Sequence, residues 1–474
     1  MFRDDKDTIC ALSTSSGRGA IAVVRISGNK SLATVAKFCS FLNDTQVKSH
    51  QVYYGFFKDD KNKKNIDEVL VTYFEKGRSF TTEQVVEISC HGGSQSSYQI
   101  LNLLVSAGLR MADPGEFTYR AFLNGRIDLV QAEGILSLIE SQNKTMANLS
   151  LRQIEGNGSY LLKNIEKQLI EVLAQLEANI DFSFEELEVS SAEELLVQTK
   201  NIYKEIQILL DSYNKACLFK EGLFVALAGK PNVGKSSLFN TFLEKNRAIV
   251  TPEAGTTRDF LEEAINLEGL PVTFIDTAGL RESKDLIEQE GIKKAKTKIE
   301  NAHFIFCIFD VSKDFLKKDV DDLLNSLNVA DFNRCVFIAN KIDLNTHFSL
   351  ENFYSSIEKS FSSFVDKPPA KNKCFLISAK QNKSLDSLRN FLKDFIKSQH
   401  QAESAVILQA RHFDLLTKAE KNINKAVDML KEKKDLEFIA FELQEALLKV
   451  YNILGKEFDD QILDKVFKEF CLGK

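Results

Sequence analysis

A strand-sized apolar run, LFVALA at 223–228, leads directly into a glycine-rich segment, GKPNVGKS at 229–236. The segment matches the pattern G-x-x-x-x-G-K-[S/T] in its usual context, where a strand, a tight loop and a helix follow one another. The two glycines let the backbone pass close to a phosphate, Lys235 can reach phosphate oxygens, and Ser236 can offer a hydroxyl to Mg²⁺. The alternative is a glycine-rich turn that only caps a core helix. The pattern predicts a phosphate-binding loop, and therefore an α/β sheet.

Three later apolar runs end in polar motifs that together favour a guanine nucleotide. DTAG at 276–279 offers a carboxylate to the Mg²⁺ shell, and its glycine amide can approach the γ-phosphate. NKID at 340–343 places Asp343 where it can accept two hydrogen bonds from guanine, whereas adenine would present an acceptor to the carboxylate. SAK at 378–380 can close over the base edge through its backbone amides. The order of these motifs predicts a GTPase.

The motifs define a predicted set of nucleotide contacts that also includes a polar loop, TPEAGTTR at 251–258, of the kind ordered by γ-phosphate and Mg²⁺. Thr257 is the expected second Mg²⁺ ligand beside Ser236; the alternative is that Thr257 only begins a strand. The set comprises Asn232, Val233, Gly234, Lys235, Ser236, Ser237, Thr251, Thr256, Thr257, Asp276, Thr277, Ala278, Gly279, Asn340, Lys341, Asp343, Ser378, Ala379 and Lys380.

Leu280 follows DTAG, at the position where many small GTPases have a glutamine that orients the attacking water. Leucine cannot position water, so hydrolysis needs another group: a bound cation, another polar residue or a partner surface. The side-chain oxygen of Asn232 could bind a monovalent cation against the phosphates. The alternative is that Asn232 only stabilises the loop.

Residues 1–122 show the pattern of an α+β domain. Short apolar runs at 21–28, 69–74 and 85–93 are typical of strands, and a helical stretch lies near 97–107.

The rest of the chain divides into three segments. Apolar residues spaced three and four apart predict long amphipathic helices over 123–218, where Ser191 and Glu194 form a helix-capping pattern. Strand-sized runs alternate with helix-length segments over 219–385, which predicts a P-loop GTPase domain with a mainly parallel sheet. Helical spacing returns over 386–474, so the fold class is multidomain α/β and α+β, with the α/β domain inserted into a helical domain.

The composition excludes several classes of protein. With 61 Lys+Arg against 67 Asp+Glu, the net charge of -6 gives no general attraction for nucleic acid; a local patch such as KKAKTK at 293–298 could contact RNA, or could be a solvated helix face. The 8 Cys form no CxxC pair, which disfavours a zinc site or a disulfide framework. The first ten residues resemble neither a signal nor a transit peptide, and no apolar run approaches the roughly 18 residues of a membrane span. We expect a cytoplasmic protein without a membrane segment.

Four further segments resemble a known family. They are GRGAIAVVRISG at 17–28, EISCHGG at 87–93, ADPGEFTYRAFLNGRIDLVQAEG at 112–134 and FCLGK at 470–474. Together with the nucleotide motifs and the inserted α/β domain, they make the chain resemble the MnmE (TrmE) tRNA-modification GTPases over essentially its whole length.

The resemblance implies a potassium-dependent GTPase that forms a homodimer and a heterotetramer with the FAD- and NADH-dependent partner MnmG (GidA). The two proteins would attach an aminomethyl or carboxymethylaminomethyl group to carbon 5 of the wobble uridine of certain tRNAs. The one-carbon donor would be 5-formyl- or 5,10-methylenetetrahydrofolate, bound by an N-terminal domain that resembles other folate-binding domains and also dimerises.

The resemblance also implies folate contacts at Arg25, Glu87, Arg126 and Lys474. Arg126 stands where lysine is frequent in the family, which keeps the charge but changes the donor geometry. Glu87 could pair with the donor-rich edge of a pterin; the alternative is a solvent-facing strand carboxylate.

The predicted catalytic groups are Lys235, from the phosphate-binding loop, and Glu288 and Cys471, which the resemblance implies. Glu288 would position water indirectly, or could be a solvated helix residue; Cys471 would act in the modification, or could be simply packed. The implied potassium site comprises Asn232, Thr251, Glu253 and Thr256.

Two other functions stay open from the residues themselves. A ribosome-assembly or translation GTPase would share every nucleotide motif but would need no folate contacts. A dimeric scaffold switched by GTP would leave the transfer chemistry to its partner. Absence of folate binding by the N-terminal region would favour this scaffold over the modification enzyme.

Overall fold

The computed structural model describes residues 7–15, 17–42, 46–59, 64–141, 143–181, 191–245, 262–276, 302–312, 317–325, 327, 329–345, 347–364, 368–399, 409–457, 460–471 and 473. The chain forms two compact units. The first takes in Met1–Ser141, Ala147–Tyr213 and Val406–Lys474, and the second takes in Gln142–Met146 and Asn214–Ala405. Most of the second unit is therefore an insertion into the sequence of the first.

The first unit contains a six-stranded sheet with the order β3-β4-β5-β2-β1-β6. Its strands are β1 (Ile9–Leu12), β2 (Ile21–Ser27), β3 (Gln51–Asp59), β4 (Lys64–Phe74), β5 (Val85–His91) and β6 (Arg110–Met111). Neighbouring strands are antiparallel, except that β1 and β6 are parallel. The predicted runs at 21–28, 69–74 and 85–93 lie in β2, β4 and β5. Alternate side chains such as Val24 and Ile88 are buried on one face, which leaves Arg25 and Glu87 on the other.

The described helices of the two units are α1 (Ser31–Ala36), α2 (Ser94–Ser106), α3 (Glu116–Leu123), α4 (Leu129–Glu140), α5 (Lys144–Ile154), α6 (Asn157–Asp181), α7 (Ala192–Glu221), α8 (Lys235–Lys245), α9 (Lys317–Asn325), α10 (Leu350–Phe361), α11 (Leu385–Gln399), α12 (Ala410–Lys431), α13 (Leu436–Leu454) and α14 (Asp460–Lys468). Among the described residues, none of these helices is both long and apolar enough to cross a bilayer.

The long amphipathic helices predicted from apolar spacing are α6, α7 and α13. Their apolar faces form one core, in which Leu169, Ile202 and Leu443 are fully buried. The predicted capping pattern before α7 is confirmed: the Glu194 amide donates to Ser191 Oγ at 3.3 Å, and the Ser191 amide donates to the Glu194 carboxylate at 3.1 Å.

The second unit contains a six-stranded sheet with the order β12-β11-β10-β7-β9-β8. Its strands are β7 (Leu223–Ala228), β8 (Glu262–Leu267), β9 (Leu270–Asp276), β10 (Phe304–Asp310), β11 (Cys335–Asn340) and β12 (Cys374–Leu376). All pairs are parallel except β8 and β9, so the predicted mainly parallel sheet is confirmed. The inner strands are buried on both faces, which explains their unbroken apolar sequences.

Helix α11 packs on this second sheet. The rings of Phe391 and Phe395 lie 5.2 and 4.8 Å from the ring of Phe304, and Arg389 donates to the Thr241 carbonyl at 3.2 Å. The second unit thus extends beyond the predicted α/β range of 219–385, because the helix that begins there covers the sheet with its apolar face.

Candidate functional site

The glycine-rich segment forms a tight loop between β7 and α8. A Cβ atom on Gly229, where φ is +149°, would lie 2.4 Å from the Ile308 carbonyl oxygen. On Gly234, where φ is +103°, it would lie 2.2 Å from Asn340 Nδ2. Both glycines are required because the ends of the neighbouring strands approach the loop too closely for any side chain.

Lys235 lies over this loop at the first position of α8. Its Nζ donates to the carbonyl oxygens of Gly229 at 2.9 Å and Lys230 at 3.2 Å, and the residue is 6% exposed. Ser236 and Ser237 follow on the first turn and are exposed. An ammonium held at the amino end of a helix is well placed to pair with phosphate, because the helix dipole also favours an anion there.

Asn340, at the end of β11, joins the phosphate loop to the segment after β12. Its Nδ2 donates to the Val233 carbonyl at 2.8 Å, and its Oδ1 accepts from the Ala379 amide at 3.0 Å. Thr241 of α8 donates to the Ala379 carbonyl at 3.0 Å. These buried bonds bring three of the predicted motifs together around one side chain.

Lys341 has a left-handed backbone with φ of 68°. Its Nζ donates to the Asn232 carbonyl at 2.8 Å and to Asp310 Oδ2 at 2.5 Å. Burial alone would raise the pKa of the Asp310 carboxyl, but hydrogen bonds from Lys341 and Ser312 outweigh it and leave the pKa below its usual value. Asp310 is therefore ionised beside the Lys341 ammonium.

Asp343 follows in the turn Ile342–Leu344. Its Oδ1 is shielded from solvent and accepts no hydrogen bond from the described residues. A buried carboxylate oxygen without a donor is unfavourable, so a ligand that brings donors to it gains free energy. The amino and imino groups of guanine are such donors.

The segment after β12 differs from the prediction in one respect. The sequence predicts that the amides of 378–380 face the base, but the Ser378 amide donates to the Lys383 carbonyl at 3.1 Å and the Ala379 amide donates to Asn340. These two amides therefore stabilise the connection 377–384 between β12 and α11. Lys380 is exposed, and it remains the residue of this segment that is predicted to contact the guanine base.

Several predicted residues lie outside the described part of the chain. They are Thr251, Glu253, Thr256, Thr257, Thr277, Ala278, Gly279, Glu288 and Lys474. The backbone of Asp276 is described and pairs with Leu227, the penultimate residue of the strand that leads into the phosphate loop. Within the described residues, no group of three or more His, Cys, Asp and Glu is arranged to hold a metal ion.

The first unit contains a separate cavity of about 190 Å³ at one end of its sheet. It is lined by Arg25, Phe74, Arg78, Ser79, Phe80, Thr81, Val85, Glu87 and Arg126. Arg25, Glu87 and Arg126, which the family resemblance implies as folate contacts, therefore line one cavity.

The charged groups of this cavity are held in place by their neighbours. Arg25 and Glu87 face each other across β2 and β5, and Arg25 Nε donates to Glu87 Oε1 at 2.9 Å. The Arg126 guanidinium donates to the Ser79 carbonyl and lies 5.4 Å from the Phe80 ring centroid. The cavity thus combines a carboxylate, guanidinium groups and an aromatic ring, which suits a flat polar ligand with an anionic end.

Cys471 is exposed near the end of the chain. Its carbonyl accepts a hydrogen bond from the Gly115 amide at 3.5 Å, and two residues further on the Gly473 carbonyl accepts from Ser13 Oγ at 3.0 Å. Ser13 directly follows β1, in which Ala11 pairs with Arg25. The segment that carries Cys471 is therefore anchored beside the sheet that holds the cavity.

The sequence-based prediction missed Asp310, Arg78 and Phe80. Asp310 carries a sequence signal that could have revealed it: like Asp276, it is a carboxylate directly after an apolar run. Arg78 and Phe80 lie in the connection between β4 and β5, where no periodic pattern marks them.

Comparison with known proteins gives matches over the whole chain. The family description "MnmE helical domain" matches residues 129–471, and "GTP-binding protein TrmE N-terminus" matches residues 8–126. The chain is 44% identical to tRNA modification GTPase MnmE of Bdellovibrio bacteriovorus, over 99% of this chain and 98% of that protein. It is 38% identical to the protein of the same name from Natranaerobius thermophilus, over 99% and 100%, and 35% identical to that from Bacillus mycoides, over 99% and 99%.

Proposed function

The chain belongs to the tRNA modification GTPase MnmE family, and we propose that its second unit binds GTP with Mg²⁺ between the 229–236 loop and Asp343. The observation that carries this proposal is Oδ1 of Asp343, which is buried and accepts no hydrogen bond from the described residues. Asp343 lies in the turn that follows Asn340 and Lys341, the two residues that brace the phosphate loop. Guanine supplies the missing donors, and Lys235 pairs with the phosphates. Of the Mg²⁺ ligands, Ser236 lies exposed at the amino end of α8, as the role requires.

Hydrolysis requires K⁺ in this proposal, because Leu280 replaces the usual glutamine. Asn232 fits a potassium ligand: it is an exposed residue whose backbone has φ of 64° and whose carbonyl is fixed by Lys341. Thr251, Glu253 and Thr256 would complete the site, and Glu288 would help to position water. Bound K⁺ supplies positive charge against the phosphates. GTP turnover should be much faster in KCl than in NaCl of equal ionic strength; equal rates would reject the cation.

The cavity in the first unit is proposed to bind the tetrahydrofolate donor, 5-formyl- or 5,10-methylenetetrahydrofolate. Glu87 would accept from the donor-rich pterin edge, and Arg25 and Arg126 would balance the charge, together with Lys474. Tetrahydrofolate should bind the full-length protein saturably, and Glu87→Gln should weaken it about tenfold or more through loss of a charge-assisted pair. Glu68→Gln on the neighbouring strand is the matched control, since Glu68 does not line the cavity. Failure of the wild-type protein to bind would favour a scaffold whose partner performs the chemistry.

The product of the reaction is proposed to be tRNA with a (carboxymethyl)aminomethyl group at C5 of the wobble uridine. A homodimer of this chain would act with the FAD-dependent partner MnmG in a cytoplasmic heterotetramer, and Cys471 would contribute to the chemistry. Bulk tRNA from cells lacking this protein should lose the modified nucleoside and regain it when the gene is restored. An unchanged nucleoside profile would contradict the proposal and would favour a ribosome-assembly or translation GTPase.

A further inference from the structure

Asp310 contacts Lys341 of the proposed nucleotide site without belonging to any of its sequence motifs. It is the last residue of β10, and this strand pairs with β7, which leads into the phosphate loop, and with β11, which leads into 340–343. The backbone of Asp310 pairs directly with Asn340, and the next amide, that of Val311, donates to the Asn340 carbonyl at 3.1 Å.

The Asp310 carboxylate is held in a fixed orientation. Its Oδ1 accepts hydrogen bonds from the Ser312 amide at 3.0 Å and from Ser312 Oγ at 2.6 Å. This leaves Oδ2 facing the Lys341 ammonium at 2.5 Å. The side chains of Lys341 and Asp310 are 30% and 23% exposed, so solvent screens the pair only in part.

The same ammonium bonds the phosphate loop through the Asn232 carbonyl at 2.8 Å. Both residues have left-handed backbones, with φ of 68° at Lys341 and 64° at Asn232. Residues other than glycine rarely adopt this conformation, so it persists only where surrounding contacts fix it. The ammonium is one such contact for the loop, and the Asp310 carboxylate fixes the ammonium.

We infer that Asp310 is a positioning residue for guanine nucleotide binding: it holds Lys341 against Asn232 and so keeps the phosphate loop in its binding shape. The inference rests on the proposed GTP site of the second unit. Without the charge on Asp310, the ammonium loses one of its two acceptors and can turn towards solvent. The loop carbonyl of Asn232 then loses its fixed donor.

The test is Asp310→Asn in the full-length protein, titrated with fluorescent N-methylanthraniloyl-GDP. Asparagine keeps an oxygen for Ser312 and places an uncharged NH2 group, which accepts no hydrogen bond, against the Lys341 ammonium. The Kd should rise about tenfold, as expected for loss of one partly screened charge-assisted contact. The kcat for GTP at saturation should change less than about twofold, because Asp310 does not touch the reacting phosphate.

A double-mutant cycle separates positioning from general damage. In a Lys341→Met background, Asp310→Asn should have no further effect on Kd, because its route to the loop is already removed. Asp322→Asn is the control: it removes the charge of a 3.2 Å ion pair with Lys230 of the same loop and should leave Kd unchanged.

Three results would overturn the inference while the wild-type protein binds the probe. They are wild-type affinity in Asp310→Asn, a full additional loss in the Lys341→Met background, and an equal loss in Asp322→Asn. Failure of the wild-type protein to bind would reject the GTP site itself, and the inference with it.

Discussion

Replacement of Gly234 by alanine tests whether the close approach seen in the structure controls nucleotide binding. The new Cβ would lie 2.2 Å from Asn340 Nδ2, and Asn340 is 2% exposed. Its side chain cannot move without breaking the bonds to the Val233 carbonyl and the Ala379 amide. Breaking a buried hydrogen bond costs roughly 1–3 kcal/mol when its groups stay unsatisfied.

Gly269 provides a matched control in the same unit. It lies between β8 and β9 with φ of +84°, and nothing lies within 4 Å of a Cβ placed there. Both alanine variants therefore carry the strain of a positive φ, about 1 kcal/mol, but only Gly234→Ala displaces Asn340. The difference between them should be about 3 kcal/mol, in the lower half of the range of about 2–6 kcal/mol for two bonds.

Fluorescent GDP titration and thermal unfolding measure the two consequences. Because 1.4 kcal/mol is tenfold in a binding constant, Gly234→Ala should bind about 100-fold more weakly than Gly269→Ala. Gly269→Ala should bind like wild type and unfold at a slightly lower temperature. If Gly234→Ala binds and unfolds like Gly269→Ala, Asn340 moves aside at no cost and the reasoning about the loop is wrong.

Two further predictions concern the stability of the first unit. Burial raises the pKa of Glu133, but the charges of His412 and Arg411 outweigh burial and lower the pKa from 4.5 to about 2. The contribution of this carboxylate to the free energy of unfolding is therefore complete above pH 4.5 and is lost as the pH falls towards 2. The Glu133→Gln variant should be less stable than wild type by about 3 kcal/mol at pH 7, because it leaves the buried partners uncompensated. The difference in unfolding temperature between wild type and variant should shrink between pH 4.5 and 2. A difference that stays constant over this range would contradict the pairing. Arg120→Met should also cost about 3 kcal/mol, because the Arg120 guanidinium, 3% exposed, binds Asp7, Glu116 and Glu83. Lys418→Met, at an exposed ion pair, is the control and should change the free energy of unfolding by less than about 0.5 kcal/mol. Urea unfolding that gives equal losses for Arg120→Met and Lys418→Met would show that burial does not matter at Arg120.

The strands of the second sheet could be predicted because burial on both faces leaves a strong pattern. All residues of β11 are buried, and its sequence is an apolar run that ends in Asn340. Strand β8 was not predicted: it begins with Glu262 and Glu263, lies at the edge of the sheet and runs antiparallel to β9. An edge strand needs no unbroken apolar run, so the sequence carries a weak signal.

The nucleotide motifs could be predicted because phosphate and guanine impose residue types at fixed spacing. The contacts that support them could not, since they join residues far apart in sequence. Asn340 contacts Val233 across 107 positions, and Lys341 contacts Asp310 across 31. The pairing of Arg25 with Glu87 depends on strand register, which sequence spacing does not specify.

The most direct measurement is the nucleotide preference of Asp343→Asn, determined by titrating wild type and variant with fluorescent GDP and with its xanthosine analogue. Xanthine presents an oxygen where guanine has its amino group, so it pairs with the amide that replaces the carboxylate. The account predicts that wild type binds the guanosine probe, and that the variant binds it at least about 100-fold more weakly while binding the xanthosine probe. A variant that keeps wild-type affinity for the guanosine probe would contradict the assignment of the buried Asp343 oxygen to guanine.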